Sequence, residues 1–207
     1  MSQDVEETKW EPAIRAFEEE DRKTPPPRGA LLFTGSSTIA MWETLQEDFP
    51  FAPVINRGFG GSQMRDLVRY ARRVILPYQP RVAVVYSGDN DLVAGKDPED
   101  IAADLNELAD ILWNERPELP LVVIDVKPSP ARWHLRDEIL ATNRLEKDFV
   151  SQHEQCYIVR TFDEMLGEDG IPDDRFYADD GLHLSADGYR LWTELVAPTL
   201  KLIWRQE

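Results

Sequence analysis

Two apolar runs in the middle of the chain place the strongest limits on the fold. The run Val82–Tyr86 contains no polar side chain inside it, and Leu121–Val126 is apolar apart from Asp125. Unbroken runs of this length are typical of strands covered on both faces in a parallel sheet. Parallel strands need crossover connections, usually helices, so these runs predict an α/β protein.

Shorter apolar runs and helical repeats complete the pattern. Three more strands are predicted at Ala30–Phe33, Val54–Asn56 and Tyr157–Val159. Apolar residues recur at helical spacing after the first strand, through Ile39 and Trp42, and in the ranges 63–76, 97–116, 136–152 and 186–204. Strands that alternate with helices predict a doubly wound, three-layer α/β/α sandwich with right-handed crossovers.

The chain is expected to form one domain with a short N-terminal addition. Its 207 residues, 42% of them hydrophobic, suit a single core. In the acidic segment 2–23, Trp10, Ile14 and Phe17 recur at helical spacing, and a proline-rich stretch follows. We therefore predict that residues 1–29 form a helix and lead-in packed on a domain of residues 30–207.

Charge and composition exclude several classes of function. With 23 basic and 39 acidic residues and a net charge of −16, the chain repels phosphate backbones and anionic lipid, so nucleic acid and membrane insertion are not expected. No apolar run reaches the roughly 20 residues that span a bilayer, and the acidic start does not resemble an export signal. A cytoplasmic location is the expectation. The single cysteine, Cys156, is expected to be a buried core thiol.

Two serines follow the first strand at a predicted turn. The order Phe33, Thr34-Gly35, Ser36-Ser37 predicts a strand, a tight turn and a helix start. A serine at this place lies beside unpaired helix amides, where an attacking oxygen and an oxyanion can both be accommodated. The alternative is that the serines only cap the helix, as serine commonly does.

Polar and glycine residues also follow the second and third strands. Gly60 or Gly61 can expose an amide to a ligand oxygen, and Asn90 can donate from its carboxamide. The alternatives are an ordinary loop and an Asx turn. Open α/β sheets bind ligands at the carboxyl ends of their strands, so these groups are expected to share one crevice with the serines.

A third group of candidates lies before the last helix. Asp180 and His183 are three residues apart, which allows the carboxylate to accept the Nδ1 proton and leaves Nε2 free to take a proton from a serine. The alternative is a surface acid and a capping histidine. The other histidines, His134 and His153, lack an acid at a comparable spacing.

Four blocks together resemble the SGNH hydrolases, also called the GDSL esterase/lipase family. They are Gly35-Ser36-Ser37, Asn56 to Gly61, Gly88 to Asp91, and Asp180 to His183, in the family's order. The resemblance implies a flavodoxin-like fold with five parallel strands and no metal or organic cofactor. It places the nucleophile on Ser37, with Ser36 where the family usually has Asp; the oxyanion hole on Ser37, Gly61 and Asn90; and the rest of the triad on Asp180 and His183.

The expected activity is hydrolysis of a small-molecule carboxylic ester, with short acyl groups preferred. No stretch is long enough for a large lid, so an open, shallow site is expected; a deep apolar cleft formed by Met41, Phe59 and Trp133 would contradict this.

Lysophospholipase and thioesterase activity remain alternatives within the family. A non-catalytic carbohydrate- or partner-binding module on the same fold is the alternative from another class, and a flavin- or nucleotide-binding protein is a third possibility on the fold alone. Arg132 and Trp133 are candidates to shape the pocket, although a loop tryptophan is more often a packing anchor.

Overall fold

The computed structural model describes residues 9–205 as strands and helices in alternation. The strands are β1 (Leu31–Gly35), β2 (Val54–Gly58), β3 (Val82–Tyr86), β4 (Leu121–Ile124) and β5 (Cys156–Val159). The helices are α1 (Glu11–Lys23), α2 (Ser37–Ala40), α3 (Leu45–Asp48), α4 (Met64–Val74), α5 (Asp89–Val93), α6 (Pro98–Glu115), α7 (Arg136–Ser151) and α8 (Ala186–Arg205). Short 3₁₀ turns lie between several of them.

All five strands are parallel and follow the spatial order β2-β1-β3-β4-β5. This confirms the predicted α/β fold with a flavodoxin-like sheet. The direction of winding reverses between β1 and β3, and a crevice opens outside the carboxyl ends of strands at such a point. The residues that follow β1 and β3 therefore face each other across the crevice.

Side chains of the strands alternate between two cores, which is why the molecule has three layers. On one face, Leu32, Val85 and Val123 pack with residues of α1, α4, α6 and α7. On the other face, Phe33 and Val84 pack with residues of α8 and with the aromatic residues that follow α2. Both faces of the central strands are covered, as their unbroken apolar runs predicted.

The segments after β1 and β3 differ in detail from the predictions. The helix after β1 ends at Ala40 instead of continuing through Trp42. The chain turns there, and the indole N–H of Trp42 donates to Asp48 at 2.6 Å. After β3, residues expected to form a turn build α5 instead. Its buried Asp91 accepts from the first amide of α4, at 3.1 Å from Met64 N, so a tertiary contact holds the polar helix in place.

The N-terminal helix packs on α4. Ile14 is fully buried in the core, and Arg73 of α4 pairs with Glu11 and Glu18 of α1 at 2.8 and 2.7 Å. Residues 1–8, which the prediction placed in the same segment, lie outside the described residues, and the division of the chain after residue 29 stays a prediction. Over residues 9–205, every helix is too short or too polar to cross a membrane.

Candidate active site

The two serines after β1 have different environments. Ser36 is 1% exposed and its hydroxyl has no hydrogen-bond partner in the described part of the chain, whereas Ser37 is partly exposed at the first position of α2. Gly35 makes this turn possible. Its φ is +146°, and a Cβ at that position would lie 2.0 Å from the carbonyl oxygen of Tyr86, so only glycine lets β1 and β3 approach this closely.

His183 connects Ser37 to Asp180. Its Nε2 lies 3.1 Å from the Ser37 hydroxyl oxygen, and its Nδ1 lies 2.5 Å from Oδ2 of Asp180. The other carboxylate oxygen of Asp180 accepts from the backbone amides of Leu182 and His183, both at 2.9 Å. The loop of residues 177–184 therefore fixes the carboxylate, which in turn fixes the imidazole ring. The structure brings together the three predicted residues, although Ser37 and His183 are 146 positions apart in the sequence.

The hydrogen bonds to Asp180 lower its pKa to about 2, with the one from His183 as the largest cause. The carboxylate stays charged at any neutral or mildly acidic pH as a result. A charged Asp180 accepts the Nδ1–H of His183, and this tautomer leaves the Nε2 lone pair free to accept the proton of Ser37.

Donors for a negative oxygen follow β1, β2 and β3 at the carboxyl edge of the sheet, and a Cβ on Gly60 would lie 3.8 Å from Cβ of Ser37. The amides of Ser37 and Gly61 donate to no backbone oxygen in the described residues. Gly61 has a φ of +75°, a conformation that favours glycine. Asn90, at the start of α5, donates one amide hydrogen to the carbonyl oxygen of Ser62 at 3.0 Å, and its oxygen accepts from Arg132 at 2.9 Å. One carboxamide hydrogen remains for a ligand.

Of the other sequence candidates, His153 and Trp133 lie in packing positions, whereas His134 does not. His153 packs between Trp113 and Phe149, with ring centroids 5.0 and 4.5 Å away, and contacts the carbonyl oxygen of Phe149. Trp133 stacks on Phe162 at 6.2 Å, as a packing anchor would. His134 is exposed in a 3₁₀ turn.

Met41, Phe59 and Trp133 do not form the deep apolar cleft that would contradict an open site. Phe59 is 3% exposed and packs in the core, while Met41 is 50% exposed at the surface. Trp133 is occupied by its contact with Phe162. The nucleophile candidate Ser37 is itself partly exposed.

Lys127 lies after β4 and was not among the site residues predicted from the sequence. It is 2% exposed, and its ammonium donates to the carbonyl oxygen of Leu182, in the loop of Asp180 and His183, at 2.8 Å. Burial lowers the pKa of Lys127 to about 8, although the charges of Asp89 and Asp180 oppose this shift. The only sequence signal was a lysine directly after an apolar strand, at the carboxyl edge of the sheet.

Lys127 is expected to make stability rise with pH. Its pKa is about 8 in the folded protein against 10.5 when unperturbed, so between these values the unfolded chain binds more protons and the free energy of unfolding increases. The difference corresponds to roughly 3 kcal/mol. Urea unfolding from about pH 7 to about pH 10.5 should therefore show wild type gaining stability relative to Lys127→Met. The exposed Lys147→Met is the control, and parallel pH curves for wild type and Lys127→Met would contradict the prediction.

Comparison with known proteins gives a family match. Residues 29–191 match the model of the GDSL-like Lipase/Acylhydrolase family. No curated protein sequence matches the chain.

Solved structures share the fold. A Bacteroides fragilis protein described as an acylhydrolase has 17% identity and a TM-score of 0.80, covering 96% of this chain and 100% of that one. A GDSL-like lipase from Bacteroides thetaiotaomicron has 18% identity and a TM-score of 0.77, covering 91% and 97%. A family 3 carbohydrate esterase from Talaromyces cellulolyticus has 15% identity and a TM-score of 0.61, covering 86% and 99%.

Proposed function

Because this chain belongs to the GDSL-like lipase/acylhydrolase family, we propose that it hydrolyses carboxylic esters of short acyl groups through an acyl-enzyme on Ser37. The chain is an ester hydrolase at the level of the family. One observation supports the finer proposal above the others. The imidazole of His183 lies between the Ser37 hydroxyl at 3.1 Å and the Asp180 carboxylate at 2.5 Å.

The first half of the proposed reaction acylates the enzyme. The Ser37 oxygen attacks the ester carbonyl carbon while its proton passes to Nε2 of His183. The amides of Ser37 and Gly61 and the free carboxamide hydrogen of Asn90 stabilise the negative carbonyl oxygen. The intermediate then collapses, and the leaving alcohol oxygen takes the proton from His183. Asp180 stabilises the transient imidazolium and keeps its own negative charge.

The second half releases the acid. Water loses a proton to His183 and attacks the acyl carbon, and the same donors stabilise the new tetrahedral oxyanion. Collapse returns the proton to the Ser37 oxygen and frees the carboxylic acid. The two halves use one set of residues because water takes the place of the alcohol.

A cavity lined by Leu184, the residue after His183, supports a small, uncharged or cationic substrate. Met41, Leu184 and Tyr189 line a cavity of about 640 Å³ together with three acidic residues and one basic residue, which are Glu43, Asp48, Glu194 and Arg190. The three carboxylates outnumber the one guanidinium, so the lining disfavours the phosphate of a lysophospholipid head group. The long segment 160–185 does not form a free lid, because Met165, Phe176 and Tyr177 anchor it in the core. A structural neighbour described as an acetyl esterase, with 15% identity and a TM-score of 0.62, supports the choice of a short acyl group.

A chain-length series of p-nitrophenyl esters tests the proposed substrate class. We expect kcat/KM to be highest for acetate or butyrate and to fall for octanoate and longer acyl groups, because an open site buries little of a long chain. A rise towards long chains, or faster hydrolysis of a lysophospholipid, would favour the lipase alternative. An acetyl thioester measured beside the matching acetyl ester separates thioesterase from esterase activity. A cytoplasmic location stays a prediction.

A further inference from the structure

We propose that Arg132 is a positioning residue, which orients the carboxamide of Asn90 so that an N–H and not the oxygen faces the substrate. This inference rests on the proposed function, in which Asn90 stabilises the oxyanion. Arg132 lies in the connection between β4 and α7, 42 residues from Asn90 in sequence, and its Nη2 donates to Oδ1 of Asn90 at 2.9 Å.

The two neighbours of the carboxamide permit only one orientation. A guanidinium has donors and no acceptor, so the group that faces Arg132 has to be the oxygen of Asn90. The carbonyl oxygen of Ser62 has only lone pairs, so the group that faces it at 3.0 Å has to be the NH₂ of Asn90. A carboxamide rotated by half a turn would place donor against donor and acceptor against acceptor. It would also present an oxygen to a developing negative charge.

Asp89 holds the guanidinium in place. Its Oδ2 lies 2.7 Å from Nη1 of Arg132, and the two side chains are 7% and 15% exposed. The N–H directions of Nη1 are not aligned with an acceptor, so the attraction is that of an ion pair rather than of a hydrogen bond. Asp89 and Asn90 are consecutive in α5, and one arginine therefore binds both. The planar fork of arginine reaches the two acceptors with two separate nitrogens in a fixed geometry, whereas a lysine presents all its donors from one nitrogen.

The backbone around Arg132 is fixed to the loop that carries the general base. The amide of Ala131 donates to the carbonyl oxygen of Gly181 at 3.0 Å, and Gly181 lies between Asp180 and His183 in sequence. The hydroxyl of Tyr177 donates to the carbonyl oxygen of Pro128 at 2.7 Å. The segment that orients the oxyanion donor is thus bonded to the loop that orients the imidazole.

Orientation of Asn90 should affect the transition state more than the ground state. The negative charge that Asn90 meets develops only as the tetrahedral intermediate forms, so a misdirected carboxamide lowers kcat and leaves KM nearly unchanged. Removal of the donor in Asn90→Ala is expected to lower kcat by about 10²- to 10³-fold. Loss of its orientation in Arg132→Met should lower kcat by about 10- to 100-fold, within that limit.

A double-mutant cycle on the purified enzyme tests the proposal, with p-nitrophenyl acetate as substrate. If Arg132 acts through Asn90, Arg132→Met should change kcat by less than about 3-fold in an Asn90→Ala background, although the same substitution lowers kcat by about 10- to 100-fold in wild type. The same fold-loss in both backgrounds would overturn the proposal, since a general structural role does not depend on Asn90. The exposed Arg136→Gln, four residues along the same segment, is the matched control and should leave kcat and KM unchanged.

Two additions keep the test decisive. If Arg132→Met leaves Asp89 unpaired and does not fold, Arg132→Lys retains a positive charge beside Asp89 but lacks the second arm, and the same cycle applies. The side-chain ¹⁵N–¹H resonances of Asn90, identified by their absence in Asn90→Ala, should shift in either Arg132 variant. Unmoved resonances would overturn the proposal whether or not wild type hydrolyses the ester. A wild type that hydrolyses no ester, with shifted resonances, would instead count against the proposed function.

Discussion

Replacing Ser37 by alanine is expected to lower kcat for ester hydrolysis by about 10⁶-fold, whereas Ser36→Ala should remain within a few-fold of wild type. Only the Ser37 hydroxyl contacts a base, at 3.1 Å from Nε2 of His183. The Ser36 hydroxyl is buried without a hydrogen-bond partner among the described residues, so its removal costs neither a contact nor a nucleophile. Ser36→Ala is therefore the matched control for Ser37→Ala.

Labelling with a fluorophosphonate probe measures the difference directly. Wild type and Ser36→Ala should each carry one adduct, and mass spectrometry should locate it on the peptide that contains Ser37. Ser37→Ala should carry none, while its circular dichroism spectrum matches that of wild type. An adduct that persists in Ser37→Ala and disappears in Ser36→Ala would transfer the nucleophile to Ser36. Absence of labelling in folded wild type would contradict the acyl-enzyme mechanism.

The change Asp180→Asn is expected to lower kcat by about 10⁴-fold with the fold intact. Oδ1 of Asp180 accepts from two backbone amides at 2.9 Å, so an asparagine here has to place its oxygen on that side. Its NH₂ then replaces Oδ2 opposite Nδ1 of His183 and donates to it. The imidazole is forced into the tautomer that carries its proton on Nε2, where it cannot accept the Ser37 proton.

Steady-state kinetics of Asp180→Asn and Asp179→Asn test this argument at a neutral pH, where Asp180 is charged. Asp179 is exposed beside Asp180 and serves as the control for a change of charge in the same loop. Equal activity of the two variants would show that Asp180 does not set the tautomer.

The fold and family were accessible from the sequence because their signals are local. Wholly apolar runs such as Val82–Tyr86 indicated buried parallel strands, and β3 has those same bounds. Helices α6 and α7 begin at or beside the residues that capping and apolar spacing indicated. Because parallel strands align their carboxyl ends, the blocks after β1, β2 and β3 were expected at one edge, and the predicted resemblance to the SGNH hydrolases is confirmed by the family match.

Local sequence patterns do not predict which distant residue a charged side chain pairs with. The spacing of the arginines in α4 does not reveal their partners: Arg65 pairs with Asp104 at 2.5 Å and Arg72 with Glu115 at 3.1 Å, which ties α4 to α6. Their side chains remain 54% and 62% exposed, so each pair is expected to contribute at most about 1 kcal/mol.

The sequence by itself determined the order of strands and helices, the family, and the residue types available for chemistry, because hydrophobic periodicity and the ends of strands are properties of short segments. The tertiary structure decided which contacts those residues make: His183 meets the Ser37 hydroxyl that the family resemblance had indicated, Arg132 binds the carboxamide of Asn90, and Lys127 is buried under the 177–184 loop. Each of these contacts joins residues that are 42 to 146 positions apart in the chain. Such contacts depend on the desolvation and hydrogen-bond geometry of the assembled crevice, which no single segment contains.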